Sequence, residues 1–553
     1  MSRPLVIVAL LASVTIPGSV LAAWQPGGNV VCAAPGQKYD LAMVSDGSDG
    51  VYCAWTDHRG AASQVYLQHV DGAGNTLWQV DGLPVSPLIP DGTYPLLASD
   101  NAGGVFVLWS EDHFWVMRVS ATGEFLWPEP VAVRPPGTAA RWARIVPDGT
   151  GGVIIAWQDR SVPGEYGVFM QHLDASGIRL WGDAGLRVSD YEADPELVSD
   201  GSDGAFVTWS DWRAGVHSDV YVQHVAGDGT VHWVVNGIRV TWQSNNQAYP
   251  QVVSDSAGGV IVTWLDILLD PDFLRAQRIS PSGTALWPAV GVTVGEHGWW
   301  YYAVGDDGSG GMIAAWQGGP LNRKVRVQRV NALGEQLWSP EGAAVADSPA
   351  SQVLPVMITS HEGSALIAWQ DQRNGGCIGI YAQKLLSTGI RTWDSDGVVV
   401  TDRDGNQYSP RIIKGGTEEM LAFWRHPSAA ADTLFLMPVG STTTGLIEEC
   451  TLPPISVPDA TTATLLLESS PNPFNPRTEL TFTLPRDGHV KLILHDTLGR
   501  RIATLVDGWF PAGDHRITWE GRDSNSVAAP AGVYLASLRQ GDACVTKKIA
   551  LIR

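Results

Sequence analysis

Acidic and basic residues recur at fixed positions in this sequence, in a pattern that could support acid–base chemistry. Five aspartates each follow a tryptophan by two residues: Asp57, Asp159, Asp211, Asp266 and Asp371. Arginines stand two residues further on in three of these places: Arg59, Arg213 and Arg373. Carboxylates gathered on one face of a fold can cleave glycosidic bonds or hold a cation. The same residues can instead cap a turn and form an ion pair, and their regular recurrence favours this structural interpretation.

Histidines also recur at one position of the pattern. The position is filled by His69, His172 and His224, and in other copies by Arg278, Arg329 or Lys384. Single histidines on separate sheets make a poor metal site, so the sequence predicts a structural polar position, no metal site and no cofactor. We find no Ser-His-Asp arrangement, phosphate-binding loop, HExxH or EF-hand motif, and therefore predict no catalytic residue.

Aromatic residues in the connections between copies are the better candidates for binding. These connections differ from copy to copy, and binding residues concentrate in loops. The candidate ligand-binding residues are Trp142, Tyr249, Trp299, Trp300, Tyr301 and Tyr408. Such rings stack on sugars or anchor a protein partner, although some of them could belong to the core of a strand.

A repeat of about 53 residues positions these side chains. It is marked by an apolar strand that ends in tryptophan, at Trp55, Trp109, Trp157, Trp209, Trp264, Trp316, Trp369 and Trp424. A strand that is apolar at nearly every position is covered on both faces, so these tryptophans are expected in the core. A later glutamine lies ten residues before a second tryptophan, as in Gln68 and Trp78, which indicates a hairpin of constant register. Four strands per repeat are the unit of a β-propeller blade.

The two ends of the repeat region are complementary. The last copy, from about Tyr408 to Val439, lacks a fourth strand, and the segment that starts at Trp24 matches the fourth strand that starts at Trp78. The sequence therefore predicts an all-β fold: an eight-bladed β-propeller over residues 23–440, closed by its N-terminal strand.

The N-terminus has the features of a signal peptide, predicted over residues 1–22. Arg3 precedes an apolar run from Leu5 to Ile16, and small residues surround the expected cleavage site. No later stretch is long enough for a transmembrane helix. The net charge of −21 argues against nucleic acid as a partner.

The cysteine pattern does not indicate a zinc site or a disulfide-built scaffold. The five cysteines are Cys32, Cys53, Cys377, Cys450 and Cys544. A disulfide between Cys32 and Cys53 is one possible pairing.

The C-terminal part of the chain has a different pattern, without the repeat. Residues 441–464 are rich in Ser, Thr and Pro and predict a linker, and residues 465–553 predict a second domain of short alternating strands. Its motifs are PNPFNPRTELTFTLP (Pro471–Pro485), HDTLGRRIATLVDG (His495–Gly508), AGDHRITWEGRD (Ala512–Asp523), AGVYLASL (Ala531–Leu538) and KKIALIR (Lys547–Arg553).

This series of motifs resembles the immunoglobulin-like module related to the flagellar hook-capping protein, and the C-terminal sorting domains of type IX secretion cargo. The resemblance implies an immunoglobulin-like β-sandwich that contacts the secretion machinery during passage across the outer membrane.

Two functions from different classes follow from these features. The export signal, the sorting-like tail and the lack of catalytic motifs predict an exported bacterial surface or secreted protein that is not an enzyme, with a propeller that binds a glycan or a surface protein. The alternative is a secreted carbohydrate-active hydrolase with acidic residues on the loop face of the propeller, because the two carboxylates of such an enzyme can lie anywhere in the sequence. A purely structural envelope protein is a third possibility.

Overall fold

The computed structural model describes residues 24–552, apart from 90–92, 112, 135–139, 160–166, 192, 214, 216, 268–271, 298–300, 319–322, 376, 416–419, 429–430, 444, 449–465, 485–487, 497–500, 511–512, 524–527 and 541–542. The predicted signal peptide lies outside the described residues. The described part of the chain forms 40 strands and no helix, so the fold is all-β. It contains no helix of the length and apolarity needed to cross a membrane.

Eight sheets follow strand β1 (Asn29–Cys32) in chain order, and we number them 1 to 8. Sheet 1 contains β2 (Lys38–Ser45), β3 (Val51–Asp57), β4 (Gln64–Val70) and β5 (Leu83–Pro84). Sheet 2 contains β6 (Leu96–Ser99), β7 (Val105–Ser110), β8 (Phe114–Val119) and β9 (Val131–Ala132). Sheet 3 contains β10 (Ala140–Pro147), β11 (Val153–Asp159), β12 (Gly167–Leu173) and β13 (Leu186–Ser189). Sheet 4 contains β14 (Glu196–Ser199), β15 (Ala205–Asp211), β16 (Asp219–Val225) and β17 (Ile238–Arg239).

The second half repeats this arrangement. Sheet 5 contains β18 (Asn246–Ser254), β19 (Val260–Ile267), β20 (Asp272–Ile279) and β21 (Val292–His297). Sheet 6 contains β22 (Tyr302–Asp306), β23 (Met312–Gly318), β24 (Lys324–Val330) and β25 (Ala343–Ala344). Sheet 7 contains β26 (Gln352–Thr359), β27 (Ala365–Asn374), β28 (Cys377–Leu385) and β29 (Val398–Asp402). Sheet 8 contains β30 (Tyr408–Ile413), β31 (Met420–Pro427) and β32 (Asp432–Val439), with β1 as its fourth strand.

The four strands of each of these sheets are antiparallel, and the second strand carries a fully buried tryptophan near its end, as at Trp55 on β3. The constant spacing of glutamine and second tryptophan has a structural reason. The side-chain oxygen of Gln68 accepts hydrogen bonds from the backbone N–H of Trp78 and of His69, each at 3.1 Å, and its amide donates to the carbonyl of Gln79 at 2.9 Å. A buried glutamine with all these bonds satisfied fixes the third and fourth strands in one register.

The first strands of the eight sheets contact one another in a closed circuit. Each first strand contacts the first strand of the next sheet, from β2 and β6 through to β26 and β30, and β30 contacts β2. The first strands therefore surround the inside of the arrangement, and the fourth strands lie at its outside. An all-β arrangement of antiparallel sheets of this kind is consistent with a β-propeller.

The N-terminal strand joins the last sheet, as the sequence predicts: β1 pairs with β32 in antiparallel register, Asn29 opposite Leu436. Gly28, at φ +91°, lies against the ring of Trp424, just as Gly82 lies against Trp55 in sheet 1. A Cβ on Gly28 would come within 2.8 Å of that ring, so only glycine fits there.

The last seven strands form two further sheets. One contains β34 (Leu466–Ser470), β35 (Thr478–Leu484) and β38 (Gly513–Trp519), and the other contains β36 (Gly488–Asp496), β37 (Arg501–Phe510), β39 (Gly532–Gln540) and β40 (Ala543–Leu551). Both sheets contribute to one apolar cluster, which includes Leu480, Leu492, Trp519 and Leu538.

Two details differ from the sequence-based expectations. Within the segment predicted as a linker over residues 441–464, β33 (Leu446–Ile447) pairs with β29 in parallel and adds a fifth strand to sheet 7. The suggested disulfide between Cys32 and Cys53 is wrong, because both cysteines are buried and free. Cys32 instead accepts a long contact of 3.6 Å from Arg59, and burial raises the pKa of its thiol to about 12.

The packing of the N-terminal segment, Gly28 and β1, on sheet 8 can be tested with two glycine variants. Gly201, in a turn of sheet 4, has φ +81° and open space around its Cα, so Gly201→Ala costs only the left-handed backbone conformation, about 1–2 kcal/mol. Gly28→Ala has the same backbone cost, and its new methyl group also pushes against the Trp424 ring and the Leu436 carbonyl. This overpacking lowers the free energy of unfolding by roughly 1–3 kcal/mol more. We expect guanidinium denaturation to rank Gly28→Ala clearly below Gly201→Ala. Equal losses in the two variants would show that the N-terminal strand does not pack on Trp424.

Candidate functional site

The aspartates that follow the buried tryptophans serve the structure. The carboxylate of Asp57 accepts a hydrogen bond of 2.8 Å from the Trp55 indole and forms an ion pair of 2.7 Å with Arg59. The same arrangement joins Asp211 to Trp209 and Arg213, and Asp371 to Trp369 and Arg373. The predicted turn-capping role is therefore confirmed for these residues. Their carboxylates are buried and occupied, and they are not available to a substrate.

The recurring histidines also have a structural role, as the sequence predicts. The ring of His172 contacts Asp148, at the turn of its own sheet, at 2.9 Å and the carbonyl of Gly227 in sheet 4 at 3.0 Å. Arg278 makes the corresponding ion pair with Asp255 at 2.9 Å and reaches the carbonyl of Ala332 in sheet 6 at 3.3 Å. This position links neighbouring sheets.

A different position faces the inside of the arrangement. It lies on or just before each first strand, at one constant separation in sequence from the buried tryptophan of the same sheet, as Asp40 does from Trp55. We call the residues at this position the bulge ring: Asp40, Tyr94, Trp142, Asp194, Tyr249, Tyr301, Leu354 and Ser409. In five sheets the strand register shifts at this residue, as in β18, where the shift lies between Ala248 and Gln251. A β-bulge of this kind turns a side chain out of the regular pleat.

Six members of the bulge ring have a left-handed backbone conformation. The φ angles are +52° at Asp40, +38° at Tyr94, +57° at Trp142, +52° at Tyr249, +53° at Leu354 and +55° at Ser409. For a residue with a side chain this conformation costs about 1–3 kcal/mol, and it persists only where the surroundings impose it. Tyr302, buried behind the ring, shows how it is imposed: its hydroxyl donates to the Tyr249 carbonyl at 2.6 Å.

Three aromatic side chains of the bulge ring are open to solvent. Tyr94 is 59% exposed, Trp142 49% and Tyr249 44%. Large aromatic residues held in a strained conformation and left exposed contribute little to the core, so they form a surface suited to stacking against a ligand.

Asp40 supplies a carboxylate to the same ring. Its carboxyl oxygen accepts a hydrogen bond of 3.1 Å from the hydroxyl of Thr56. Burial raises the pKa of Asp40 above its ordinary value, against the opposing effects of the Thr56 hydrogen bond and of the positive charges of Arg411 and Arg425. A carboxyl group that keeps its proton more readily is suited to act as a general acid.

The six predicted binding residues do not all lie at equivalent positions of the structure. Trp142, Tyr249 and Tyr301 occupy equivalent positions in the bulge ring, on sheets 3, 5 and 6, whereas Trp299 and Trp300 lie outside the described residues. Tyr408 is half-buried one residue before the bulge position, and its ring lies 5.5 Å from the guanidinium of Arg425. Tyr408 therefore lies beside the ring position and does not share the left-handed conformation of Ser409.

Tyr94, Asp40 and Asp194 were missed from the sequence, although a signal exists for Tyr94 and Asp194. A proline directly follows the bulge position in five sheets: Pro95, Pro195, Pro250, Pro355 and Pro410. Proline within a strand is confined to edges and bulges, so it marks the residue before it as irregular. Among the described residues, no group of three or more His, Cys, Asp or Glu side chains is arranged to hold a metal ion.

Comparison with known proteins finds fold likeness only. No protein-family model and no curated protein matches the sequence. An ulvan lyase, a polysaccharide lyase solved with a bound sugar, is 10% identical, with 77% of this chain and 96% of that chain covered and a TM-score of 0.39. A lectin from Burkholderia pseudomallei is 12% identical, with 66% and 98% covered and a TM-score of 0.42. An endo-arabinase from Bacteroides thetaiotaomicron is 10% identical, with 64% and 95% covered and a TM-score of 0.28.

The prediction that the protein is not an enzyme is corrected by these comparisons. The solved structures that it resembles include carbohydrate-active enzymes, among them the lyase and the endo-arabinase. Missing motifs are a poor ground for excluding such an activity, because carboxylates that act on sugars can be brought together by the fold and leave no local sequence signature.

The electrostatics of Asp40 can be tested through stability. The pKa of Asp40 is raised in the folded protein, so the folded state binds the proton of this carboxyl group more tightly than the unfolded state does. The free energy of unfolding therefore falls as the pH rises from the pKa of Asp40 in the unfolded chain to its pKa in the folded chain. Asp40→Asn keeps an acceptor for Thr56 and removes the charge, so we expect it to stabilise the protein at pH 7 and to have no such effect below about pH 3. Denaturation of both forms across this pH range measures the difference. A stabilisation that is independent of pH, or a loss at pH 7, would contradict the assigned environment.

Proposed function

We propose that the protein is an exported bacterial enzyme that acts on a polysaccharide, which binds across the bulge ring of an eight-bladed β-propeller. In this proposal β1 completes the eighth blade, and residues 465–553 form an immunoglobulin-like module for sorting by a type IX system after removal of residues 1–22. The protein then works outside the cell or on its outer surface.

One observation carries the functional part of the proposal. Tyr94, Trp142 and Tyr249 occupy equivalent positions on different sheets, each in a left-handed conformation and each exposed. A surface of exposed aromatic rings at the first strands suits an extended ligand with alternating apolar and hydroxylated faces, as a polysaccharide has.

Asp40 is the proposed general acid of the reaction. It would donate its proton to the glycosidic oxygen as the bond to the anomeric carbon breaks, and a water molecule would then add to that carbon and return a proton to the Asp40 carboxylate. Asp194, also a member of the bulge ring, lies just before the first strand of sheet 4, is exposed and accepts a hydrogen bond of 3.3 Å from Gln158, and it would bind a sugar hydroxyl away from the cleaved bond.

The test is a panel of polysaccharides, with binding and release of reducing ends both measured on the mature protein. We expect Tyr249→Ala and Trp142→Ala each to weaken binding about five-fold or more, since loss of one stacked ring is worth about 1 kcal/mol. Val80→Ala, an exposed apolar residue at the outer edge of sheet 1, is the control and should bind like the wild type.

A further variant, at Asp40, tests the catalytic role separately from polysaccharide binding. Asp40→Asn should retain binding and lose turnover by about 100-fold or more, as expected for removal of a general acid. Unchanged turnover in Asp40→Asn would remove Asp40 from the mechanism, and a wild-type protein that neither binds nor cleaves any polysaccharide in the panel would contradict the proposed function.

A further inference from the structure

A second polar cluster lies at the junction of sheets 4 and 5, outside the bulge ring. The connection between β17 and β18 passes over this junction and carries Trp242, which is 68% exposed. One face of the Trp242 indole rests on the guanidinium of Arg239, whose carbon lies 4.8 Å from the ring centre. This contact holds the ring flat and leaves its other face open to solvent.

Arg239 anchors the cluster to sheet 4. Its guanidinium donates to the carboxylate of Asp219 at 2.5 Å and to the carbonyl of Gln243 at 3.3 Å. His217 lies 3.3 Å from the same carboxylate oxygen. The ion pair leaves the cluster without a strong net charge, so a charged ligand has no evident advantage there.

Several polar atoms of this cluster have unused hydrogen-bonding capacity. Within the described part of the chain, no partner is found for Asp219 Oδ2, Arg239 Nε, Thr241 Oγ1 or Gln247 Oε1, all of which are buried. Asp219, Thr241 and Gln247 are themselves fully buried side chains. These atoms lie beneath the surface and are closed to a ligand, whereas the side chains of Arg239 and His217 remain 21% and 16% exposed and can hydrogen-bond to one.

The polar cluster is connected to the bulge ring through strand β18. Gln247 pairs through its backbone with Ser218 at the start of β18, and Tyr249 of the bulge ring follows two residues later on the same strand. The connection also reaches outward, because the Gln243 side chain donates to the Val290 carbonyl at 3.2 Å, just before β21. Trp242 and Tyr249 thus belong to the same end of the sheets, with Tyr249 at the inside.

We infer that Trp242, Arg239 and His217 form a rim subsite for one sugar residue of the same polysaccharide, so that the substrate is a chain that runs from the bulge ring across sheets 4 and 5 and is cut at internal bonds. This inference rests on the proposed function. A pyranose ring has an apolar C–H face for the open side of an indole, and hydroxyl groups that both donate and accept. The partly exposed guanidinium and imidazole groups, in a cluster with little net charge, fit that chemistry better than they fit a metal ion or an anion.

The experiment compares ligand lengths. Disaccharides and octasaccharides are prepared by partial hydrolysis of the polysaccharide that the wild-type protein binds best, and their Kd values are measured by calorimetry. Trp242→Ala should weaken octasaccharide binding about ten-fold and leave disaccharide binding unchanged, because only the longer chain reaches from the ring to the rim. Trp242→Phe keeps a stacking ring and should stay within about three-fold of the wild type, and Val80→Ala controls for loss of exposed apolar surface.

The outcomes separate the two proposals. If wild-type protein binds the octasaccharide and Trp242→Ala binds both lengths as well as wild type does, the rim subsite is wrong and the bulge ring stands. If Trp242→Ala weakens both lengths equally, the effect comes through the ring or the fold, and the rim subsite is again wrong. If the wild type binds no polysaccharide at all, the proposed function fails and the rim subsite fails with it.

Discussion

The packing of a buried tryptophan on a glycine is the contact on which the whole arrangement depends. In sheet 1 the second-strand Trp55 lies against Gly82 before the fourth strand, and the same pair recurs as Trp209 with Gly237 and Trp369 with Gly397. The indole fills the space that a side chain on the glycine would need, so the two strands can approach only in this combination. When the pair is formed by Trp424 and Gly28, it joins the two ends of the repeat region, and the last sheet is completed only because the first described residues supply a strand.

A regular scaffold of this kind makes its irregular positions informative. The same register that buries the tryptophan places a bulge at a constant separation before it, and the fold tolerates many residue types there. Where the packing leaves the residue type free, the chain has Tyr94, Trp142 and Tyr249 on some sheets, Asp40 on another and Ser409 on another. The ring therefore combines equivalent backbone positions with unequal side chains, which is how a symmetric fold can bind an asymmetric ligand.

The sequence predicts the frame well and the site only in part. The recurring tryptophans, the Gln68–Trp78 spacing and the match between Trp24 and Trp78 predict the strand order and the joining of β1 to β32, because these depend on local patterns that repeat. The role of Asp57 and of His172 also follows from repetition, since a residue needed once per sheet is needed by the fold. Asp40 could not be recognised in the same way, because its raised pKa arises from burial in the folded chain and from neighbours such as Thr56 and Arg411 that are distant in sequence.

The same limit explains why the absence of motifs could not exclude catalysis. Motif searches detect chemistry that is encoded in consecutive residues, whereas the bulge ring takes one residue from each sheet. The rim subsite likewise depends on an ion pair between Asp219 and Arg239, which lie on different strands of a hairpin. The regular spacing between the bulge position and each tryptophan is present throughout the repeat region, but its meaning depends on knowing that the first strands face inward.

A crystal structure of the mature protein with a bound oligosaccharide tests the central claim most directly. We expect the sugar rings to lie in van der Waals contact with the side chains of Trp142 and Tyr249, with a glycosidic oxygen within hydrogen-bonding distance of the Asp40 carboxyl group. A sugar bound on the outer strands or on the C-terminal module, with the bulge ring empty, would contradict it.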